Sequence, residues 1–323
     1  MRRSRSARGY MDLAQMDSAV FKQQFRFNKE DLPALTSALR VPEVVTTAQR
    51  IAVPGQEALC ILLRRLSYPN RLCDLEEMFG RHSSTLSSVT TNMLRHLTTT
   101  FRGLTADLSS HAWLTRSSLE EFAEAVHAKG APLQNCWGFL DGTARPICRP
   151  TEDQRLYFSG HKRVHTLKFQ SIMCANGIIV EMYGPYPGHR HDAGMLRLSG
   201  LCERLEDLVE GAVYTIYGDP AYPLRPLIQK PFMGARLSAA EVNFNKRMSS
   251  VRQAVEWGFG KVASSFAFVD FKKNQKIMLQ QVPEMYQAAT LLTNCHTCLY
   301  GSQTSMYFQL SPPTLEEYLT ARH

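Results

Sequence analysis

Three carboxylates stand in contexts suited to metal-ion chemistry. They are Asp141 in Gly138-Phe139-Leu140-Asp141-Gly142-Thr143, Asp219 in Gly218-Asp219-Pro220-Ala221-Tyr222-Pro223, and Glu256 in Val251-Arg252-Gln253-Ala254-Val255-Glu256. Two follow apolar runs that read as strands, and the third lies on a segment of helical spacing, so one fold could gather all three. Two like charges 4 Å apart repel by roughly 4 kcal/mol at an effective dielectric of 20, and a cluster of three calls for a counter-ion. Mg2+ or Mn2+ suits such oxygen ligands and leaves coordination positions for phosphate oxygens. Two such ions about 3.5–4 Å apart can activate a nucleophile and stabilise a leaving 3′-oxygen. Each acid also has a simpler reading. Asp141-Gly142 and Asp219-Pro220 suit turns, and Glu256 could pair with Arg252 one helical turn earlier. Singly the simpler readings are favoured; joint placement argues for a site.

The elements that must position these acids begin near Leu133. Apolar, β-rich runs over 136–140, 166–174, 178–183 and 212–217 predict four strands, with Asn176-Gly177 as a hairpin turn and 227–232 as a short fifth strand. Helical spacing marks 195–208 and 248–262. Three strands, a helix, a fourth strand and later helices predict a mixed α/β sheet flanked by helices. If the first and fourth strands pair, Asp141 and Asp219 become neighbours, because adjacent strands lie about 4.8 Å apart. Glu256, about 100° from Val255 on the apolar stripe, would sit at the margin of the buried face.

Before residue 130 the spacing is helical throughout, with strand signals nearly absent. A helix is predicted over 54–66, closed by Ser67-Tyr68-Pro69-Asn70, and a second over 71–79. Gly80 breaks the pattern and Ser83 offers an N-cap to a third helix running through Leu94. Helix, glycine turn and helix suit a helix-turn-helix, with Arg81, Ser83 and Ser84 toward phosphate or base edges; they equally suit a helical-bundle corner. The expected boundaries are a flexible basic start over 1–20, a helical DNA-binding region over 21–130, a catalytic domain over 131–270, and a C-terminal helix and tail over 271–323 packing on it.

Charge narrows the partner. Among 323 residues, 37 basic side chains face 29 acidic ones, net +8, with a pI near 9.1. Nucleic acid is the first expectation and an anionic membrane surface the second. No apolar run approaches the roughly 18 residues of a membrane span, and the N-terminus lacks the apolar core of a signal peptide, so a soluble intracellular chain is expected. Residues 1–8 read as a weak nuclear-import signal or a solvated start. Eight scattered cysteines suggest reduced thiols, and Cys295-His296-Thr297-Cys298 lies in an apolar helical stretch with no second pair to complete a zinc site. In His161-Lys162-Arg163-Val164-His165, Lys162 and Arg163 suit phosphate contacts; a solvated basic loop is the alternative.

These motifs, in this order, resemble the PIF/Harbinger-type DDE transposases and the nucleases domesticated from them. Gly138 to Thr143 is similar to the first-acid motif, Pro187-Gly188-His189-Arg190-His191-Asp192 to the proline-glycine loop ending in His-Asp, and Gly218 to Pro223 to the second-acid motif. Asn245 onward, with Arg252, Val255-Glu256 and Phe259-Gly260, resembles the third-acid helix. Glu57-Ala58, Leu63 to Pro69 and Phe79-Gly80-Arg81 extend the likeness over most of the chain. Pro220-Ala221 departs mildly, where relatives often carry a small residue before glycine-tyrosine.

The resemblance implies an RNase H-like catalytic fold behind an all-α N-terminal region and two-metal cleavage or strand transfer of DNA. Asp141 would bridge both metals, Asp219 hold the first and Glu256 the second, with His191 and Asp192 shaping the site. It also implies a Myb-like DNA-binding partner protein, a homodimer or higher oligomer, and nuclear residence after synthesis in the cytoplasm. The rival expectation is a catalytically silent protein that binds DNA or recruits partners. A metal phosphohydrolase of small molecules is a third, disfavoured by the positive charge.

Overall fold

The computed structural model describes residues 12–277 and 279–321; the basic stretch read as an import signal lies outside them. The described residues form two compact units, one up to Arg102 joined by those of 262–289, the other from Gly103 to Lys261 joined by those from Thr290 onward.

In the first unit, α1 (Ser18–Phe25) is capped by Asp17, whose carboxylate accepts from the Ala19 and Val20 amides. It is followed by α2 (Leu32–Ala38), a small antiparallel hairpin of β1 (Val44–Thr46) and β2 (Ala52–Pro54), and α3 (Gly55–Ser67). Strands of three residues are too short to display alternation, which is why the spacing did not announce the hairpin. Residues 58–63 of α3 are fully buried, as expected of a helix apolar on nearly every side. Two contacts tie the later segment to this unit: Arg65 lies 4.0 Å over the Phe268 ring, and Arg26 Nε donates to the Ser265 carbonyl at 3.0 Å.

Next come α4 (Cys73–Phe79) and α5 (Ser83–Thr100), joined through Gly80 in the left-handed conformation at φ 62°. The N-cap of α5 is His82, whose imidazole accepts from the Ser84 amide, whereas the sequence suggested Ser83. Ser83 instead bonds through its amide and hydroxyl to Glu76 of α4, which fastens the turn.

In the second unit, α6 (Arg102–Ala106) and α7 (Arg116–Ala128) lead into β3 (Cys136–Pro146). There follow α8 (Gln154–Tyr157), β4 (Phe158–Ser159), β5 (Val164–Cys174), β6 (Ile179–Pro187), α9 (Asp192–Ser199), α10 (Leu201–Val209), β7 (Thr215–Gly218) and β8 (Ile228–Gln229). The chain closes with α11 (Ala239–Ser265), α12 (Val282–Tyr300), α13 (Gln303–Phe308) and α14 (Leu315–Leu319). The sheet runs β4-β5-β3-β7-β8, with β6 also on β5. β3 pairs antiparallel with β5 and parallel with β7, so the sheet is mixed, as the element order predicts. The crossover from β6 back to β7 passes through α9 and α10, the length a parallel pairing requires.

The division into units departs from the boundary expected at residue 130. α7 buries Leu119, Phe122, Ala123 and Val126 and packs on β3, so it belongs with the sheet. An amphipathic helix displays a stripe in sequence but not what will cover it. Residues 271–289 join the helical unit rather than the sheet unit. The tail beyond them does pack on the sheet: Phe308 stacks on Phe139, and the Asn294 side chain bonds the Ile179 amide, its carbonyl and the Tyr318 hydroxyl. No helix of the described residues is long and apolar enough to cross a membrane.

Candidate active site

The last rung of the β3–β7 ladder pairs Leu140 with Gly218, so Asp141 and Asp219 emerge side by side from adjacent strands. β7 stops there because Pro220 has no amide to continue a ladder. Asp219 Oδ1 accepts the Ala221 amide at 2.7 Å, and its carbonyl accepts the Tyr222 amide at 3.0 Å. This Asx-type turn fixes the carboxylate and folds the Tyr222 ring back against Gly218, where an added Cβ would touch the ring. β3 instead continues to Pro146 along β5, with Asp141 opposite Ser171, so Asp141 lies within a strand rather than at its end.

Two cations answer the acids. Arg252 of α11 donates through Nη2 to Asp141 Oδ1 at 2.7 Å, and the same nitrogen lies 3.9 Å from Asp219 Oδ2. Lys168 of β5 donates through Nζ to Asp192 Oδ1 at 3.1 Å and to the Arg190 carbonyl at 2.9 Å. Asp192, first residue of α9, arrives on the loop Pro187 to His191 and lies beside Gly142: a Cβ built there would stand 3.2 Å from Asp192 Oδ1 and 3.4 Å from the Tyr222 hydroxyl. Burial raises the Asp141 carboxyl above its ordinary range; Arg252 opposes the rise, and the charges of Asp219 and Asp192 add to it. Tyr222 is fully buried, and its hydroxyl has no hydrogen-bond partner among the described residues.

Glu256 is exposed on α11, four residues beyond Arg252, and Arg252 pairs with Asp141. Among the described residues no three His, Cys, Asp or Glu side chains stand together in a way that could hold a metal ion. The pair Asp141–Asp219, with Asp192 close by, is nonetheless an all-oxygen donor set. Carboxylate oxygens are the donors a hard divalent ion takes, and the Arg252 guanidinium contributes positive charge to the pair. Sequence reading missed Tyr222, Gly142, Lys168 and the reach of Arg252; only the spacing of Tyr222, three residues after Asp219, hinted at a turn bringing it back.

The remaining predicted residues are dispersed. Lys162 and Arg163 are exposed in the turn before β5, Arg163 left-handed at φ 54°. Ser84 and His191 are exposed, and Ser83 is half-buried. Arg81 is 7% exposed and forks onto Glu57 through Nε at 2.6 Å and Nη2 at 2.9 Å. Its guanidinium is thus committed inside the helical unit, where the sequence suggested a phosphate contact. Cys295 is buried in α12, and burial pushes the Cys298 thiol up to about 12, which suits thiols in a packed helix.

Comparison with known proteins agrees with this geometry. Residues 140–294 match the DDE superfamily endonuclease family, a stretch that begins at β3 beside the first acid and takes in Asp219 and Glu256. The chain is similar to Protein ALP1-like of Arabidopsis thaliana, 21% identical over 274 residues, covering 79% of this chain. It spans 65% of that relative's length. No solved structure matches significantly. Residues 140–294 thus form a DDE superfamily endonuclease domain.

Proposed function

We propose that the protein is a divalent-metal-dependent DNA endonuclease of the Harbinger transposase type, hydrolysing phosphodiester bonds and competent for strand transfer. The observation that carries this reading is the Leu140–Gly218 rung, which sets Asp141 and Asp219 side by side inside the segment that matches the family. Asp141, Asp219 and Glu256 are the residues that would hold Mg2+ or Mn2+. When bound, such ions supply Lewis-acid stabilisation of charge on a phosphodiester. Arg252 neutralises the acid pair, Asp219 is held in orientation by its own turn, and Lys168 holds Asp192 against the site. DNA as substrate is supported by the net charge of +8 and the exposed Lys162 and Arg163. The helices α4 and α5 would serve as the DNA-binding corner. A Myb-like partner, a dimer that brings two DNA ends together, and nuclear residence complete the proposal.

A second reading has an observation of its own. Arg252 sits on both strand acids while Glu256 stands exposed, an arrangement that suits a silent protein acting through DNA or partner binding. Supercoiled-plasmid cleavage in Mg2+ or Mn2+ separates the two. Asp141→Asn, Asp219→Asn and Glu256→Gln should each lower the rate by about two to three orders of magnitude, the scale for losing a stabiliser of transition-state charge. Cleavage by the triple variant at the wild-type rate, or none by wild type, sinks the enzyme reading.

A further inference from the structure

Tyr222 is unexplained by the acid pair alone. A buried hydroxyl without a partner carries a desolvation cost, so its retention needs a reason. The Tyr222 ring is fixed from two sides: the turn Asp219 to Tyr222 folds it back, and Gly218 leaves room for it. Its hydroxyl ends beside Gly142, the residue after the first acid, whose missing side chain leaves a gap shared with Asp192 Oδ1. Three separate motifs therefore converge on one phenol. The hydroxyl is shut away from solvent, and the Asp192 carboxylate lies at the same Gly142 gap.

We propose that Tyr222 is a positioning residue that donates across the Gly142 gap to Asp192 and makes Asp192 a third oxygen donor to a divalent cation beside Asp141 and Asp219. The inference rests on the metal-dependent reading above and adds to it an acid and a phenol that act as a unit. Lys168 holds the same carboxylate from the other side at 3.1 Å, so Asp192 would be fixed by two donors, as ligating carboxylates commonly are.

Mn2+ uptake by the full chain, followed by calorimetry without DNA, tests it apart from cleavage. Tyr222→Phe should weaken Mn2+ binding about tenfold, the scale for removing an outer partner of a ligand, while leaving the metal-free melting temperature unchanged or raised. Asp192→Asn should weaken binding at least as much, and adding Tyr222→Phe to it should cost little more, because the phenol acts through that carboxylate. Gly142→Ala, which fills the gap, should give the Tyr222→Phe result and covers the case in which the phenol variant folds poorly. Unchanged affinity in both Tyr222→Phe and Gly142→Ala, or an equal further loss in the Asp192→Asn background, overturns the proposal and leaves the nuclease reading standing. Absence of Mn2+ uptake by the wild type overturns both.

Discussion

His111 and Glu181 are buried ionisable groups of the sheet unit that titrate in opposite senses. His111 is 1% exposed, donates through Nε2 to the Val180 carbonyl at 2.9 Å and stacks on Tyr318; burial pulls its imidazole down to about 4. An unfolded His takes up its proton near 6.5. The folded state resists that proton, so His111's contribution is complete above pH 6.5 and is lost as pH falls through about 4. Glu181, fully buried against Arg204, is pushed up to about 7, so its contribution is present below the unfolded carboxylate value and lost as pH rises through 7. The two partly offset one another in the wild type. His111→Gln should remove acid sensitivity on the order of 3 kcal/mol between pH 6.5 and 4, read by denaturant unfolding at each pH. Equal slopes in wild type and variant would contradict the assignment. Asp141 and Asp219 were legible as residues because apolar runs lead straight into both. Tyr222 and the reach of Arg252 onto Asp141 were not, because a phenol and a guanidinium do not reveal their partners until the acids they face are known.

The loop from Pro187 to His191 sets where α9 begins and therefore where Asp192 lies. Gly188 is its tight point: a side chain there would run into the Tyr157 carbonyl and both oxygens of Thr166, with backbone that cannot give way. Gly188→Ala should destabilise the sheet unit by about 1–3 kcal/mol in urea unfolding, and it should weaken Mn2+ binding if Asp192 serves the site. Wild-type stability in that variant would show that the loop relaxes freely. Several elements were readable from local chemistry. Asn176-Gly177 made the hairpin, with Gly177 at φ 84°, and the apolar periodicity gave α3 to within one residue at each end. The stretch read as one helix over 195–208 is instead two, α9 and α10, broken at Gly200 with φ 62°. α11 extends well before the predicted start at 248, because its first turns are mostly exposed and carry no apolar stripe.

The helical unit is discontinuous in sequence, since residues 262–289 complete it, with Phe268 under Arg65 and the Ser265 carbonyl taking Arg26. A fragment ending at residue 102 should therefore be markedly less stable than one in which 262–289 is restored by a linker, as circular dichroism melting would show. Equal melting of the two would mean that the later segment only rests on the unit. At this scale the sequence determined the class of molecule: a basic chain with a helical first part, a mixed sheet after it, and acids at the ends of apolar runs. Composition, period and motif order are properties of the chain itself, so they could be read before folding. The tertiary structure decided what chain-distant residues do to one another. It set Asp141 beside Asp219 through a parallel register, seated Arg252 on both, turned Arg81 inward onto Glu57, and left Glu256 exposed while bringing Asp192 and Tyr222 to the first acid. Those outcomes depend on register, helix rotation and burial, which arise only when segments 24 to 111 residues apart in the chain pack together.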